Sequence, residues 1–288
     1  MSSLNSAIPP STRPVPGIPV ALTVAGSDSG GGAGIQADLA AFSYFDVFGT
    51  TAITAVTAQN PKAVTAVHPV PPTTVSAQVS AVMSEFSVAA IKTGMLFSAE
   101  IIAAVADVLG SRPGTPLVVD PVMVATSGAK LLQDVAIDAL KARILPQAQL
   151  VTPNLPEAEI LWGQAIPSLT SAIKAARALA GQVAGMALVK GGHGGSDVAT
   201  DVLSDGDSVW LLEAPRCAAR STHGTGCSLS AAAAACLALG QDPLESVVSA
   251  KAYVLGRLQS PARVGSDLFA MLPPSSLPRS QITVRKAV

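Results

Sequence analysis

The chain has 288 residues, of which 49% are hydrophobic and only 13% are charged. This composition predicts a folded protein with a large core, because disordered chains have too little apolar surface to bury. The 18 basic and 19 acidic residues nearly cancel, and the sequence has no basic run. Nucleic acids and anionic membrane surfaces are therefore disfavoured as partners.

Residues 1–17 are rich in proline and small polar side chains, and we expect them to form a flexible tail before a single domain at 18–288. They have neither the basic start nor the long apolar stretch of a signal peptide. No apolar run reaches the roughly 20 residues that span a bilayer. The three cysteines are too few and too irregularly spaced for a zinc site and favour a reducing compartment, so we expect a cytoplasmic protein.

Short apolar runs alternate with longer helical patterns over the first two thirds of the chain. The runs are nearly continuous, as in strands that are buried on both faces of a parallel sheet. Strands are predicted at 20–25, 52–57, 89–92, 117–119, 150–152 and 187–190. Helices are predicted at 34–45, 73–84, 99–109, 134–144, 156–162 and 168–180. This rhythm predicts an α/β fold with a mostly parallel central sheet and helices on both faces.

The pattern changes after residue 190. Two strands, 198–203 and 208–213, flank Asp205-Gly206 and predict a β-hairpin with an Asp-Gly turn. Two further helices are predicted at 225–239 and 243–258. We expect the remaining stretch, from residue 260 onward, to be irregular because it is mixed in character and contains proline.

Ligands of open α/β sheets bind beyond the carboxyl ends of the strands, so the residues that follow each strand are candidates for a site. A glycine-rich loop at 26–34 follows the first strand and leads into a helix, which would let the backbone approach a ligand. It matches neither the dinucleotide fingerprint nor the P-loop, and a flexible turn is the alternative. Gln59 follows the second strand and could read a heterocycle, or belong to a plain turn with Asn60-Pro61.

Polar residues also follow three later strands. Asp120 ends the fourth, where an ionised carboxylate needs a partner. Asn154 and Glu157 begin a helix and could hold Mg²⁺ through waters, or simply cap the helix. Lys190 and His193 lie in a glycine-rich turn and suit phosphate oxygens, the alternative being a solvated turn.

The segment Gly224-Thr225-Gly226-Cys227 precedes an alanine-rich stretch of high helix propensity. The four residues should therefore form the first turn of a helix, whose free N–H groups and dipole suit a phosphoryl group in transfer. At this position we expect Cys227 to have a lowered pKa and to act as a general base on a hydroxyl group. The alternative is a small buried cysteine, which we expect Cys236 to be.

Seven segments together resemble the hydroxymethylpyrimidine and phosphohydroxymethylpyrimidine kinases of thiamine synthesis, a branch of the ribokinase-like superfamily. They are AGSDSGGGAGIQADL (25–39), TAVTAQN (54–60), KTGML (92–96), VVDPVM (118–123), TPNLPEAE (152–159), VKGGH (189–193) and STHGTGCSLS (221–230). The resemblance covers about residues 20–258. It implies a ribokinase-like fold, ATP and Mg²⁺ as cofactors, and phosphorylation of 4-amino-5-hydroxymethyl-2-methylpyrimidine and of its monophosphate. It also implies a homodimer.

The resemblance implies roles for individual residues. The substrate-binding residues would be Gly26, Asp28, Ala33, Gln59, Met95 and Val122. The catalytic base would be Cys227, within an anion hole of Gly224, Thr225, Gly226 and Cys227. The ATP-binding residues would be Asn154, Lys190, His193 and Thr222, and the residues near the metal would be Asp120 and Glu157.

Two rival functions remain open from the sequence. Many sugar kinases of the superfamily carry Asp where this chain has Cys227, which favours ring-borne hydroxymethyl groups as acceptors, and a pyridoxal or pyridoxine kinase of the same fold would use them too. The chain also has Asn60-Pro61 where many relatives have Asn-Thr, a departure beside the expected ring pocket. The second rival is a catalytically silent protein that binds thiamine precursors, which the joint presence of Cys227, Asn154, Glu157 and Lys190 opposes.

Overall fold

The structure, a computed structural model, describes residues 17–111, 113–123, 132, 134–191 and 197–287. Residues 1–16 of the expected tail and His193 lie outside the described residues. The strands are β1 (Val20–Asp28), β2 (Phe48–Asn60), β3 (Ala63–Pro69), β4 (Val88–Thr93), β5 (Leu117–Val119), β6 (Leu150–Val151), β7 (Met186–Val189), β8 (Val198–Ser204), β9 (Val209–Pro215), β10 (Pro261–Arg263), β11 (Phe269–Met271) and β12 (Thr283–Lys286). The helices are α1 (Gly34–Tyr44), α2 (Pro72–Glu85), α3 (Ala99–Gly110), α4 (Asp134–Ala139), α5 (Leu155–Trp162), α6 (Leu169–Ala180), α7 (Thr225–Ala238) and α8 (Pro243–Leu258).

Ten strands form one mixed sheet in the order β12-β9-β8-β7-β6-β5-β4-β1-β2-β3. The six central strands, from β7 to β2, pair in parallel, and the outer strands pair antiparallel. The parallel strands β4 to β7 are short and mostly buried, because helices cover the sheet on both sides. The predicted α/β fold with a mostly parallel sheet is therefore confirmed.

Two hydrophobic clusters fill the space between the sheet and its helices. One cluster includes side chains of α2 to α6 and covers one face of the sheet. The other includes α1, α7 and α8 and covers the opposite face. In α7, the ten residues from Ser228 to Leu237 are buried, and the five alanines Ala231–Ala235 let neighbouring elements approach closely. The alanine-rich stretch is thus the buried helix that the sequence predicts.

Several boundaries differ from the sequence prediction. The stretch after residue 260 is not irregular: β10 and β11 form a small hairpin, and β12 joins the main sheet beside β9. β3 was not predicted at all, and it pairs antiparallel with β2. The helix predicted at 134–144 keeps α-geometry only in α4 and continues as a π-turn, Leu140–Ile144. The Asp-Gly hairpin turn between β8 and β9 is confirmed, with Gly206 at a φ of 101°.

Candidate active site

A cavity of about 790 Å³ opens at the carboxyl ends of the central parallel strands. It brings together every sequence-predicted site residue that the structure describes, from loops that are far apart in the chain. These residues are Gly26, Asp28, Ala33, Gln59, Met95, Asp120, Val122, Asn154, Glu157, Lys190, Thr222, Gly224, Thr225, Gly226 and Cys227. The remaining predicted residue, His193, lies outside the described residues, so its placement stays a prediction.

Asp28 organises the glycine-rich loop at one end of the cavity. Its carboxylate accepts hydrogen bonds from the backbone N–H groups of Gly30 at 2.8 Å and of Ala33 at 2.9 Å, and it contacts His223. Burial alone would raise the pKa of Asp28, but the hydrogen bonds from His223, Gly30 and Ala33 outweigh burial and lower it. The carboxylate is therefore ionised at neutral pH and holds the loop in a single shape.

Gln59 lies near the end of β2, where the pairing with β3 shifts register between Ala58 and Gln59. Such an irregularity re-aims a side chain, and here Gln59 lines the cavity. Its Oε1 atom accepts a hydrogen bond of 3.2 Å from Thr57, which leaves the amide N–H groups for a ligand. Asn60 also makes the turn that the sequence suggested, since its Oδ1 accepts from the N–H of Lys62 at 2.9 Å.

Lys190 and Asp120 form an ion pair in the middle of the cavity. The Lys190 Nζ lies 3.1 Å from Asp120 Oδ1, and Asp120 is only 3% exposed. Burial would lower the pKa of Lys190, but the carboxylates of Asp120 and Glu157 outweigh it and raise that pKa. The ammonium therefore stays charged, which its predicted role in binding phosphate requires.

Asn154 and Glu157 form a capping box at the start of α5. The Asn154 side chain accepts from the Glu157 N–H at 2.9 Å, and Glu157 Oε2 accepts from the Asn154 N–H at 2.9 Å. The two side chains therefore do cap the helix, as the alternative interpretation expected. The cap occupies only some of their polar atoms, and both residues also line the cavity. Burial, reinforced by the negative charge of Asp120, raises the pKa of Glu157 to about 7 despite the opposing effect of Lys190.

The predicted anion hole lies at the first turn of α7. Gly224 is the N-cap residue, with a φ of 84°, and a Cβ atom there would lie 1.8 Å from the carbonyl oxygen of Gly32. Both facts require glycine at position 224. A Cβ atom at Gly226 would lie 3.3 Å from the Lys190 Nζ, which shows that this turn faces the Lys190–Asp120 pair. Thr222 lies exposed at the rim, where its carbonyl oxygen accepts from the Thr225 hydroxyl.

The pKa of Cys227 differs from the sequence prediction. We predicted a lowered pKa from its position in a helix's first turn, but the pKa of the thiol is raised to about 11. Burial of the sulfur is the main cause, and the carboxylates of Asp38 and Asp120 add to it. The Lys92 ammonium and the N–H of Gly34 oppose the rise without cancelling it. In the ligand-free protein, Cys227 is therefore a thiol at neutral pH.

Sequence reasoning missed two buried ion pairs that line the cavity or support it. Lys92 and Asp38 form a fully buried ion pair, and Lys251 on α8 pairs with Asp201 on β8 at 2.6 Å. A signal existed for Lys92, because a lysine inside the apolar strand β4 is unusual. No local signal marked the Lys251–Asp201 pair, whose members lie 50 positions apart.

Within the described part of the chain, each helix is too short or too polar to cross a membrane.

The comparisons with known proteins agree with this geometry. The family model described as phosphomethylpyrimidine kinase matches residues 28–271. This chain belongs to that family. It is 49% identical, over 250 residues, to a protein of Haemophilus influenzae named hydroxymethylpyrimidine/phosphomethylpyrimidine kinase, an alignment that covers 85% of this chain and 92% of that protein. The ribokinase-like fold and the kinase class inferred from the sequence motifs are thereby confirmed.

Two solved structures are also similar to this member of the phosphomethylpyrimidine kinase family. A pyridoxal kinase from Staphylococcus aureus in complex with AMP-PCP and pyridoxal superimposes with a TM-score of 0.83, at 32% identity, covering 94% of this chain and 99% of that one. A phosphomethylpyrimidine kinase from Clostridium difficile gives a TM-score of 0.73 at 37% identity, covering 82% of this chain and 97% of that one. The fold is thus shared by kinases named for two different rings.

Proposed function

We propose that this chain transfers the γ-phosphoryl group of ATP to the hydroxymethyl group of 4-amino-5-hydroxymethyl-2-methylpyrimidine in thiamine biosynthesis. We propose that it then phosphorylates the resulting monophosphate. The position of Cys227 carries the proposal: it lies in the first turn of α7, in the same cavity as Gln59 and the Lys190–Asp120 pair. A candidate base, an amide that can hydrogen-bond to a ring and an ammonium that can bind phosphate thus line the same cavity.

The proposed reaction is an in-line transfer. The Cys227 thiolate takes the proton from the substrate hydroxyl, and the oxygen attacks the γ-phosphorus while the bond to the ADP oxygen breaks. The N–H groups of Gly226 and Cys227 and the Lys190 ammonium face the negative charge of the moving phosphoryl group. The resulting thiol then returns its proton to water, so protons and charge balance over one turnover.

A magnesium ion fits the carboxylate donors of this cavity. Asp120 and Glu157 are both buried, the negative charge of Asp120 raises the pKa of Glu157, and a divalent cation between the two carboxylates would offset that charge. No group of three His, Cys, Asp or Glu side chains in the described residues could hold a metal on its own. Mg²⁺ usually keeps several waters and one or two carboxylates, which matches this set. When bound, it would supply charge that neutralises the ATP phosphates.

The same cavity supports a second candidate acceptor, pyridoxal or pyridoxine. The observation that favours it is the likeness to the Staphylococcus aureus pyridoxal kinase, which covers 94% of this chain. Its ring also carries a hydroxymethyl group, so a base at Cys227 would serve both acceptors. We prefer the pyrimidine because the Haemophilus influenzae relative is 49% identical, against 32% for the pyridoxal kinase.

Side-by-side turnover tests the acceptor. ADP release is measured with Mg-ATP and, in turn, hydroxymethylpyrimidine, its monophosphate and pyridoxine, with the Cys227→Ala variant as the blank. We expect the highest kcat/KM with the pyrimidine and measurable turnover of its monophosphate. Faster turnover of pyridoxine would replace our first choice with the second. If no ADP is released with any of the three acceptors, the result would instead support the interpretation as a catalytically silent protein that binds thiamine precursors.

We also propose that the protein acts as a homodimer in the cytoplasm. The family resemblance supports the dimer. The cytoplasm is supported by the three cysteines, all of which are free thiols. Sedimentation of the purified chain would test the dimer directly.

A further inference from the structure

The Cys227 thiol poses a chemical problem for the proposed function. A base must be deprotonated before it can accept a proton, yet burial raises the pKa of this thiol to about 11. Stabilisation of a thiolate in such a place requires a nearby positive charge. A charged residue of the cavity must therefore act on the sulfur.

Lys92 is a fully buried cation that shares the cavity with Cys227. It is 0% exposed, it lies on β4, and it lines the same cavity as Cys227 on α7, which packs against β4. A Cβ atom at Gly94 would lie 2.7 Å from the Lys92 Nζ, so the chain turns tightly around the ammonium. Among the charged groups that act on the Cys227 sulfur, Lys92 acts most strongly.

The ammonium is fixed in place by two other buried residues. Its Nζ lies 2.9 Å from each carboxylate oxygen of Asp38, and the Thr23 hydroxyl donates to Asp38 Oδ2 at 2.6 Å. All three residues are 0% exposed. Two of the three ammonium donors are thus used by Asp38.

Stability alone gives little reason to keep such a pair. Desolvation of two charges is costly, and apolar replacements of buried ion pairs are often as stable. Burial would lower the pKa of Lys92, but Asp38, Cys227 and Asp120 outweigh it and raise that pKa, so the ammonium keeps its proton. The fold therefore maintains a permanent cation at the floor of the cavity.

We propose that Lys92, held by Asp38 and Thr23, is a positioning residue that supplies the positive charge against which the Cys227 thiolate forms. The other charges that face the sulfur are Asp38 on α1, Asp120 after β5 and Lys190 after β7. Asp38 and Asp120 disfavour the thiolate, so the two lysines alone favour it among these groups. The inference rests on the proposed role of Cys227 as the base.

Alkylation of Cys227 tests the proposal without any substrate. The full chain reacts with iodoacetamide at pH 9, and mass spectrometry follows the peptide that carries Cys227. Because only the thiolate reacts, the rate reports the thiolate fraction. We expect Lys92→Met to slow the reaction by about tenfold or more, and Asp38→Asn to accelerate it by about tenfold, since one charge nearby moves a pKa by about one unit or more. Loss of packing alone would not shift the two rates in opposite directions.

A second comparison avoids an unpaired buried carboxylate, which could prevent Lys92→Met from folding. Asp38→Asn and the double variant Asp38→Asn/Lys92→Met differ only at position 92, and both lack the Asp38 charge. We expect the double variant to react about tenfold more slowly. Lys251→Met is the matched control, because it breaks a buried Lys–Asp pair at the same cavity, and it should leave the Cys227 rate unchanged.

The kinase assay separates this inference from the proposed function. Lys92→Met should lower kcat severalfold while changing the KM for either substrate much less. Lys92→Arg, which keeps the positive charge, should restore part of the kcat. Equal alkylation rates in Asp38→Asn and the double variant, in a chain whose wild type turns over, would overturn the role of Lys92 and leave the kinase proposal intact. Absence of turnover in the wild type would overturn the kinase proposal instead.

Discussion

The Nε2 atom of His223 lies 2.9 Å from Oδ2 of Asp28, although 195 positions separate the two residues. This contact joins the glycine-rich loop after β1 to the segment that leads into the anion hole. The loops approach each other again at Gly224, where an added Cβ atom would lie 1.8 Å from the carbonyl oxygen of Gly32. The glycine-rich loop and the predicted anion hole therefore form one packed unit.

Asp28→Asn should weaken that unit. It removes the charge that holds the N–H groups of Gly30 and Ala33, and charge-assisted hydrogen bonds contribute about 1.5–3 kcal/mol each. We expect kcat/KM for the acceptor to fall roughly tenfold or more, with little change in the KM for ATP. Steady-state kinetics of Asp28→Asn, His223→Ala and the double variant check this. Fully additive effects would mean that the two residues do not act together.

Cys227→Ala should abolish the proposed base. We expect kcat to fall by about 10²-fold or more, the usual range for a lost general base, while ATP affinity changes little. Cys236→Ala is the matched control, because Cys236 lies on the same helix but is 0% exposed and is absent from the cavity lining. Unchanged turnover in Cys227→Ala would remove this residue from the mechanism.

Gln59→Ala should affect ring recognition alone. The side chain offers its amide to the cavity, so its loss should raise the KM for the pyrimidine far more than the KM for ATP. Thr57→Val removes the hydroxyl that donates to Gln59 Oε1 and should cause a smaller change in the same direction. If both KM values rise together in Gln59→Ala, the residue supports the structure rather than the ring.

Glu157→Gln should stabilise the ligand-free protein at high pH. The folded state keeps a proton on Glu157 up to a pH of about 7, whereas the ordinary value is 4.5. The free energy of unfolding therefore falls as the pH rises from about 4.5 to 7, because the folded state binds more protons in that window. Glutamine keeps the cap acceptor and carries no charge.

Thermal unfolding of the wild type and Glu157→Gln across pH 4–9 measures this effect. We expect the variant to gain on the order of 1–3 kcal/mol above pH 7, and we expect the difference to vanish near pH 4.5. Added Mg²⁺ should narrow the gap at pH 8, since it would favour the ionised wild type. A gap that is constant with pH would show that Glu157 does not titrate in this window.

The sequence allowed the central strands and the strand-end residues to be predicted, because their signals are local. Most parallel strands are short apolar runs, and Asp120, Asn154 and Lys190 each follow such a run closely. β3 and β12 were missed; they lie at the sheet edges, where exposed residues such as Thr65 and Arg285 interrupt the apolar pattern. Each of these edge strands pairs with one neighbouring strand. The partner of β12 is β9, which lies about 70 positions earlier in the chain.

The pKa of Cys227 could not be predicted from its own neighbours. The helix N-terminus is a local feature and lowers a thiol pKa, but the burial and the carboxylates that raise it come from the tertiary fold. Asp38 and Asp120 approach the sulfur from α1 and from the end of β5. The same holds for Lys92, whose partner Asp38 lies 54 positions away in the chain.

The terminal strand β12 shields one edge of the main sheet. It covers the open edge of β9, whose sequence Val209-Trp210-Leu211-Leu212 is apolar enough to pair with another copy. β12 itself presents Arg285, in an ion pair with Glu213, and Lys286, and such charges discourage further strand addition. A chain shortened before Thr283 would keep its catalytic cavity but expose an aggregation-prone edge. The last few residues thus protect the protein from self-association during expression and storage.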